Sequence, residues 1–384
     1  MSSTHPYDTA RMTRRGHKAG RLACTTLVLP VLAVACMAGP AQAAYTHYAT
    51  ATSYGSPAST SDDVNYGGSA ASASTSYAGP TWFNGAAGLT QINVATQGQA
   101  HADLATGSLK ASSSVQVGST LSGGLASGER QISNVSETYF GETFTITAAD
   151  ASYLTPGATA RLSIKIDGQF SATGDIDFNA TIDQWGQLQP LNYYTANSSL
   201  RAYQVGAFDL KEQASQLQYD DFADYADHGY ASQSEYYLAA FNAINNQLSA
   251  LELGHEWVGV HSNATLVADT LQAGLGYIEL ELLLDIPLED LTTAFEWEAR
   301  LFTITQLDLA LENVSLTADF SNTAVISLTL PEGFTLSSES DVFPLANVTT
   351  QSPTTTSAVP EPATATLGLL AGGAVMAAMR RRRD

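Results

Sequence analysis

The chain has 384 residues but only two cysteines, Cys24 and Cys36, and both lie in an apolar stretch near the N-terminus. From Ala44 onward there is no thiol. That excludes a disulfide framework, a zinc–thiolate or iron–sulfur site and a cysteine nucleophile from most of the chain. Basic residues are the second shortage, 16 Lys and Arg against 37 Asp and Glu, for a formal net charge of −21. Nine of the sixteen sit near the two ends, and residues 44–379 keep seven basic against 35 acidic residues, a net charge of −28. Nucleic-acid binding needs clustered Lys and Arg, so it is excluded as a role. Charged residues make up 14% of the chain, against about 25% in ordinary domains. No Gly-x-Ser-x-Gly elbow, P-loop or Gly-x-Gly-x-x-Gly is present, so three large enzyme classes lose their usual markers.

What the chain does have is placed at its ends. Residues 11–43 follow the three-part plan of a secretory signal. Arg14-Arg15-Gly16-His17-Lys18 is basic, residues 22–38 are apolar, and Ala41-Gln42-Ala43 sets small residues at −3 and −1 of a cut after Ala43. Met12 is an alternative start, and lipidation of Cys36 after Ala33-Val34-Ala35 an alternative processing route. Pro30 and Pro40 oppose a buried helix there.

At the other end Val359-Pro360-Glu361-Pro362 precedes an apolar run, residues 363–379, and then Arg380, Arg381, Arg382 and Arg383. As a helix the run would span roughly 25 Å, enough for a thin bilayer, and the arginines would keep its end in the cytoplasm. This ordered triplet resembles the PEP-CTERM sorting signal of exported bacterial proteins. The resemblance covers residues 359–384; the lone Asp384 after the arginines is a departure. It implies export by the general secretion machinery, residence in the inner membrane, and recognition near Pro360-Glu361-Pro362 by a membrane protease, exosortase. It also implies a setting of extracellular polysaccharide. Within the body, residues 102–110, Asp319-Phe320-Ser321-Asn322-Thr323 and Pro331-Glu332-Gly333-Phe334 are similar to phrases found in PEP-CTERM proteins, without an activity to carry over.

Between the ends, residues 44–88 are rich in Ser, Ala and Gly and read as a low-complexity lead-in, with short β pieces around Val64-Asn65-Tyr66. From Leu89 on, alternation dominates, as in Thr143-Phe144-Thr145-Ile146-Thr147 and Arg161-Leu162-Ser163-Ile164-Lys165-Ile166. Turn signals such as Asp167-Gly168 and Pro331-Glu332-Gly333 punctuate it. The pattern predicts a mainly β fold, an antiparallel, jelly-roll-like β-sandwich over 89–348. One stretch, 201–253, breaks it. Tyr237, Phe241, Ile244, Leu248 and Leu251 recur at helical spacing, and a second helix is predicted over 208–217. Residues 349–358 read as a Ser/Thr/Pro linker.

Candidate chemistry is sparse. Asp175, Asp177 and Asn179, with Asp183 beyond, would line one face of a strand, a row suited to Ca²⁺ if loop carbonyls complete it; no other cofactor is implied. A solvated strand face explains the same row. Asp220, Asp221, Asp224 and Asp227 form a second acidic cluster. His255-Glu256 opens like a zincin helix, but Gly259 stands where the second histidine belongs, and His261 on the same strand would be about 20 Å away. Glu279 and Glu281, and Glu296 and Glu298, are spaced like jelly-roll glycosidase carboxylates, but Leu283 and Arg300 occupy the third position. Aromatics alternate with acids from Tyr219 to Tyr230, which suits sugar binding or simple packing of the helices. The expectation is a non-catalytic structural or adhesive protein of an exopolysaccharide matrix, with a glycan-binding module or glycan-active enzyme as the alternative.

Overall fold

A computed structural model describes residues 46–54, 61–66, 70–85, 88–126, 130–182, 188–217, 225–262, 271–272 and 274–351. In chain order the strands are β1 (Thr46–Tyr54), β2 (Ser61–Tyr66), β3 (Ala70–Gly85), β4 (Gly88–Asp103), β5 (Ser108–Ser122), β6 (Gln131–Ala148), β7 (Thr159–Thr173), β8 (Ala180–Ile182), β9 (Leu188–Pro190) and β10 (Tyr193–Gln204). Two helices follow, α1 (Ala207–Gln216) and α2 (Gln233–Leu251). Then come β11 (Glu252–His261), β12 (Leu271–Gln272), β13 (Gly276–Pro287), β14 (Thr292–Asp308), β15 (Val314–Pro331), β16 (Phe334–Ser338) and β17 (Val348–Gln351).

Strands that alternate apolar and polar side chains have one face to bury, and two sheets satisfy each other. The first sheet runs β12-β11-β10-β14-β6-β1-β2, with β16 on β6 beyond the end of β1. The second runs β13-β7-β15-β5-β4-β3, with β17 on β15. Among the described strands only the short pairs β11–β12 and β15–β17 are parallel. The two inner faces share one core, in which Phe140, Phe144 and Trp297 of the first sheet and Leu162, Phe170 and Phe320 of the second are fully buried. The fold is a mainly β, two-sheet sandwich with a helical insertion, as the alternation predicts.

The sandwich begins earlier than the sequence reading placed it. Strands β1 to β3 lie inside the stretch read as a low-complexity lead-in. Ala71, Ala73 and Thr75 face inward and Ser72, Ser74 and Ser76 outward, so the period is 2 with very small side chains. Ala71 and Ala73 join Ala49, Ala51 and Ala100 in an alanine cluster, and Cα atoms of β1 approach those of β3 and β4 within 8 Å, closer than the ~10 Å of ordinary sandwiches. Alanine carries too little hydrophobicity to announce a strand. At the far end, β17 takes in residues 349–351, the start of the predicted linker.

The insertion is shorter than 201–253 at both ends, because β10 continues to Gln204 and β11 begins at Glu252. Gly206, at φ 105°, turns the chain from β10 into α1, a conformation that favours glycine. Ser232 caps α2 by accepting the Glu235 N–H at 3.1 Å, while the Glu235 carboxylate accepts the Ala231 N–H at 2.8 Å, a capping-box arrangement. The stripe read at helical spacing is the least exposed side of α2. Among the described residues no helix is long and apolar enough to cross a membrane. The apolar segment of the predicted secretory signal, residues 22–38, and the predicted membrane helix over 363–379 lie outside them.

Candidate functional site

Among the described residues, Glu296 and Glu298 of β14 are the pair of candidate carboxylates that the fold encloses. On this strand Phe295, Trp297 and Ala299 point into the core, and the alternate residues point to the outer surface of the first sheet. Both glutamates are nevertheless 3% and 9% exposed, because α1 lies over them. Gly141, opposite Glu298 on β6, makes room for the helix: a Cβ there would meet Phe208 Cζ at 2.7 Å.

Each carboxylate is committed to the helix above it. Glu296 accepts the Gly206 N–H at 2.9 Å and the Phe208 N–H at 2.6 Å, supplying from another strand the N-terminal cap that Gly206 cannot provide. Burial pushes its carboxyl above the ordinary value, and these N–H bonds oppose the shift. Glu298 accepts the Tyr203 hydroxyl at 3.1 Å and forms an ion pair with Lys211 of α1. Lys211 Nζ also sits 4.2 Å from the Tyr203 ring centre, a cation–π distance. Desolvation lowers the Lys211 pKa, with Glu298 pulling it back. Burial, with the Glu298 charge and hydrogen bond, raises the Tyr139 hydroxyl well above its ordinary value. Burial and Glu298 raise Tyr203 likewise. A retaining glycosidase presents two carboxylates about 5 Å apart across a substrate cleft. Here they sit under a helix, where they fasten α1 to the sheet.

A third buried carboxylate, Glu142 of β6, points inward. It accepts the Ser340 N–H at 2.8 Å and the Ser340 hydroxyl at 2.7 Å, closing the loop after β16 over the end of the core. Burial raises its carboxyl above the ordinary 4.5 despite these bonds. A carboxyl with a raised folded-state pKa takes up its proton before the unfolded chain does. The stability it withholds at neutral pH is therefore regained as pH falls from that raised value to 4.5. Melting temperature should rise on mild acidification towards pH 4.5, helped by weaker self-repulsion of an acidic chain. Glu142→Gln should flatten that rise; melting curves of variant and wild type that stay parallel over this window contradict the role given to Glu142.

The remaining sequence candidates are not brought together. Asp175, Asp177 and Asn179 lie between β7 and β8 and not on a strand. Asp177 Oδ1 accepts the Asn179 N–H at 2.9 Å and its side-chain amide at 2.7 Å, and this local turn takes the place of ladder pairing. Ile176 and Phe178 are the less exposed residues of the segment, with the Phe178 ring 5.2 Å from that of Tyr194. Asp183 is outside the described residues. Among the described residues no group of three or more His, Cys, Asp or Glu is placed to hold a metal ion.

Glu279 and Glu281 stand on the exposed face of β13, opposite Asp167 and Lys165. His255 and His261 lie six residues apart on β11; His261, its last residue, is buried and stacks on Tyr193 at 5.3 Å. Of the aromatic–acid stretch, Asp220, Asp221 and Asp224 lie outside the described residues. Within them His228 and Tyr230 stack on Tyr236 at 4.7 and 4.9 Å, ring on ring. Ala41, Ala43, Pro360, Glu361, Pro362 and Arg380, Arg381, Arg382 and Arg383 are also outside the described residues.

Sequence reasoning missed Lys211, Tyr203, Tyr139 and Gly141. The signals were a lone lysine in an otherwise acidic insertion and a glycine inside the bulky run Tyr139-Phe140-Gly141-Glu142. Compared with known proteins, the chain matches no family model, no curated protein and no solved structure.

Proposed function

We propose that the chain is an exported, non-catalytic structural or adhesive protein of an exopolysaccharide matrix. In this reading a jelly-roll-like body travels between a cleaved N-terminal signal and a C-terminal membrane helix, and an exosortase-type protease acts on the tail. The carrying observation is the fixed order of Pro360-Glu361-Pro362, an apolar run and Arg380, Arg381, Arg382 and Arg383, matched at the other end by the basic, apolar and small-residue segments that finish at Ala43. The commitment of Glu296 and Glu298 to α1 favours it over a glycan-active enzyme.

The test is replacement of all three residues Pro360, Glu361 and Pro362 by Ala. The variant should accumulate unprocessed in the inner membrane while the wild type reaches the surface. A variant with the wild-type mature mass and location overturns the reading.

A further inference from the structure

Three adjoining rows on the outer face of the second sheet, across β3, β4, β5, β15 and β7, carry almost no charge and consist, but for one carboxylate, of Ser, Thr, Gln and Ala, while Lys110, Lys165, Asp167, Glu279 and Glu281 lie beyond them on the same face. One of these rows reads Ser76, Gln97, Ser114, Thr317 and Ser171, one residue on each of β3, β4, β5, β15 and β7 in register. At a strand spacing of about 4.8 Å the row spans roughly 19 Å. The next row adds Gln99 and Gln169, both exposed, and a single carboxylate, Asp319. That carboxylate turns back on its own strand, accepting the Ser321 N–H at 3.0 Å and hydroxyl at 2.6 Å. Cross-strand hydroxyl bonds, Thr173 to Ser315 and Ser163 to Ser327, each 2.7 Å, fix side chains in place.

Two further observations point to a ligand. A groove of about 240 Å³ crosses one corner of this face, lined by Ser72, Ser74, Gln99, His101, Lys110 and Ser112. Two exposed rings stand on the same face at opposite edges: Tyr277 of β13, across from Gln169, is 66% exposed, and Trp82 of β3, six residues beyond Ser76 and so on its side, is 54% exposed.

We infer that this face binds an uncharged polysaccharide chain laid obliquely across the strands, from Tyr277 on β13 towards Trp82 on β3. Amides and hydroxyls offer donors and acceptors together, which is what a neutral, hydroxyl-rich polymer presents in return. Tyr277 and Trp82 provide flat apolar rings against which pyranose faces stack, leaving their polar tips hydrated. Ser and Thr lose little rotamer freedom on binding. A polyanion would meet the repulsion of the −28 carried by residues 44–379. A protein partner would need an apolar centre to the patch, which two separated rings do not form. The inference rests on the matrix reading above and names the chemical class that the matrix protein would hold.

The test is affinity gel electrophoresis of the full chain in nonionic detergent, through gels holding hydroxyethyl cellulose, dextran, galactomannan or, as the anionic probe, alginate. At least one neutral polymer should retard the chain. The double variant Tyr277→Ala/Trp82→Ala should weaken that retardation roughly tenfold or more, as loss of aromatic anchors does, and Gln97→Ala/Gln99→Ala should weaken it too. Tyr54→Ala, an exposed ring on the first sheet, should leave it unchanged. Retardation by alginate alone, by no polymer, or to an equal degree in the double variant overturns the inference, as does an equal loss in Tyr54→Ala. Surface location is read separately by fractionation, so loss of binding in a correctly sorted protein refutes the glycan face and leaves the sorting proposal standing.

Discussion

Glu298→Ala lowers the unfolding free energy by about 3–5 kcal/mol, the usual cost of leaving one member of a buried ion pair without its partner. Three groups converge on this carboxylate. Lys211 loses its counter-ion under a helix that shields it from water, and the hydroxyls of Tyr203 and Tyr139 lose their acceptor. Removing both charges together is much milder. Lys211→Met/Glu298→Leu keeps the volume and leaves no uncompensated ion, so it recovers most of the loss. Urea unfolding of wild type, single and double variants measures the coupling directly. A single variant that costs less than about 1 kcal/mol would place the pair among surface salt bridges and remove it as the fastening of α1.

Trp297→Ala is expected to cost as much, about 3–5 kcal/mol, because a large buried side chain leaves a cavity that its neighbours cannot close. The ring is fully buried among Phe140, Phe144 and Phe343, at centroid distances of 5.6, 5.1 and 5.8 Å. These rings come from β6 and from the segment after β16, so one truncation loosens the sheet and its end together. Trp297→Phe is a sharper probe. The indole N–H is buried without an acceptor, and an unmet donor costs about 1–3 kcal/mol. Exchange for Phe removes that penalty while keeping most of the contact, so the loss is well below that of Ala. Because both variants remove the N–H, equal losses would mean that the retained ring contributes nothing and would contradict the cavity account.

The sandwich was legible where its strands carry large side chains. Thr143-Phe144-Thr145-Ile146-Thr147 and Arg161-Leu162-Ser163-Ile164 alternate strongly enough to assign both the strand and its buried face. The α2 stripe was legible for the same reason at a different period. Strands β1 to β3 were not, because alternating Ala and Ser differ little in hydrophobicity, and their burial depends on how closely the opposing sheet approaches. Asp175, Asp177 and Asn179 have strand spacing, yet a local side-chain bond turns the backbone there. Glu296 and Glu298 drew attention as a pair, but their role is set by α1, which the sequence places some 80 residues before them and the fold lays on top of them. The polar face of the second sheet was invisible as a site, because its residues come from strands scattered along the whole body and only register sets them side by side.

The proposal that the two ends are removable addresses is most directly tested by the intact mass of the protein recovered from the surface of its native cells. The account predicts a chain that begins at Ala44 and ends near Pro360-Glu361-Pro362, without Arg380, Arg381, Arg382 and Arg383. Recovery of the unshortened chain, residues 1–384, from the cytoplasm as its main form would contradict it.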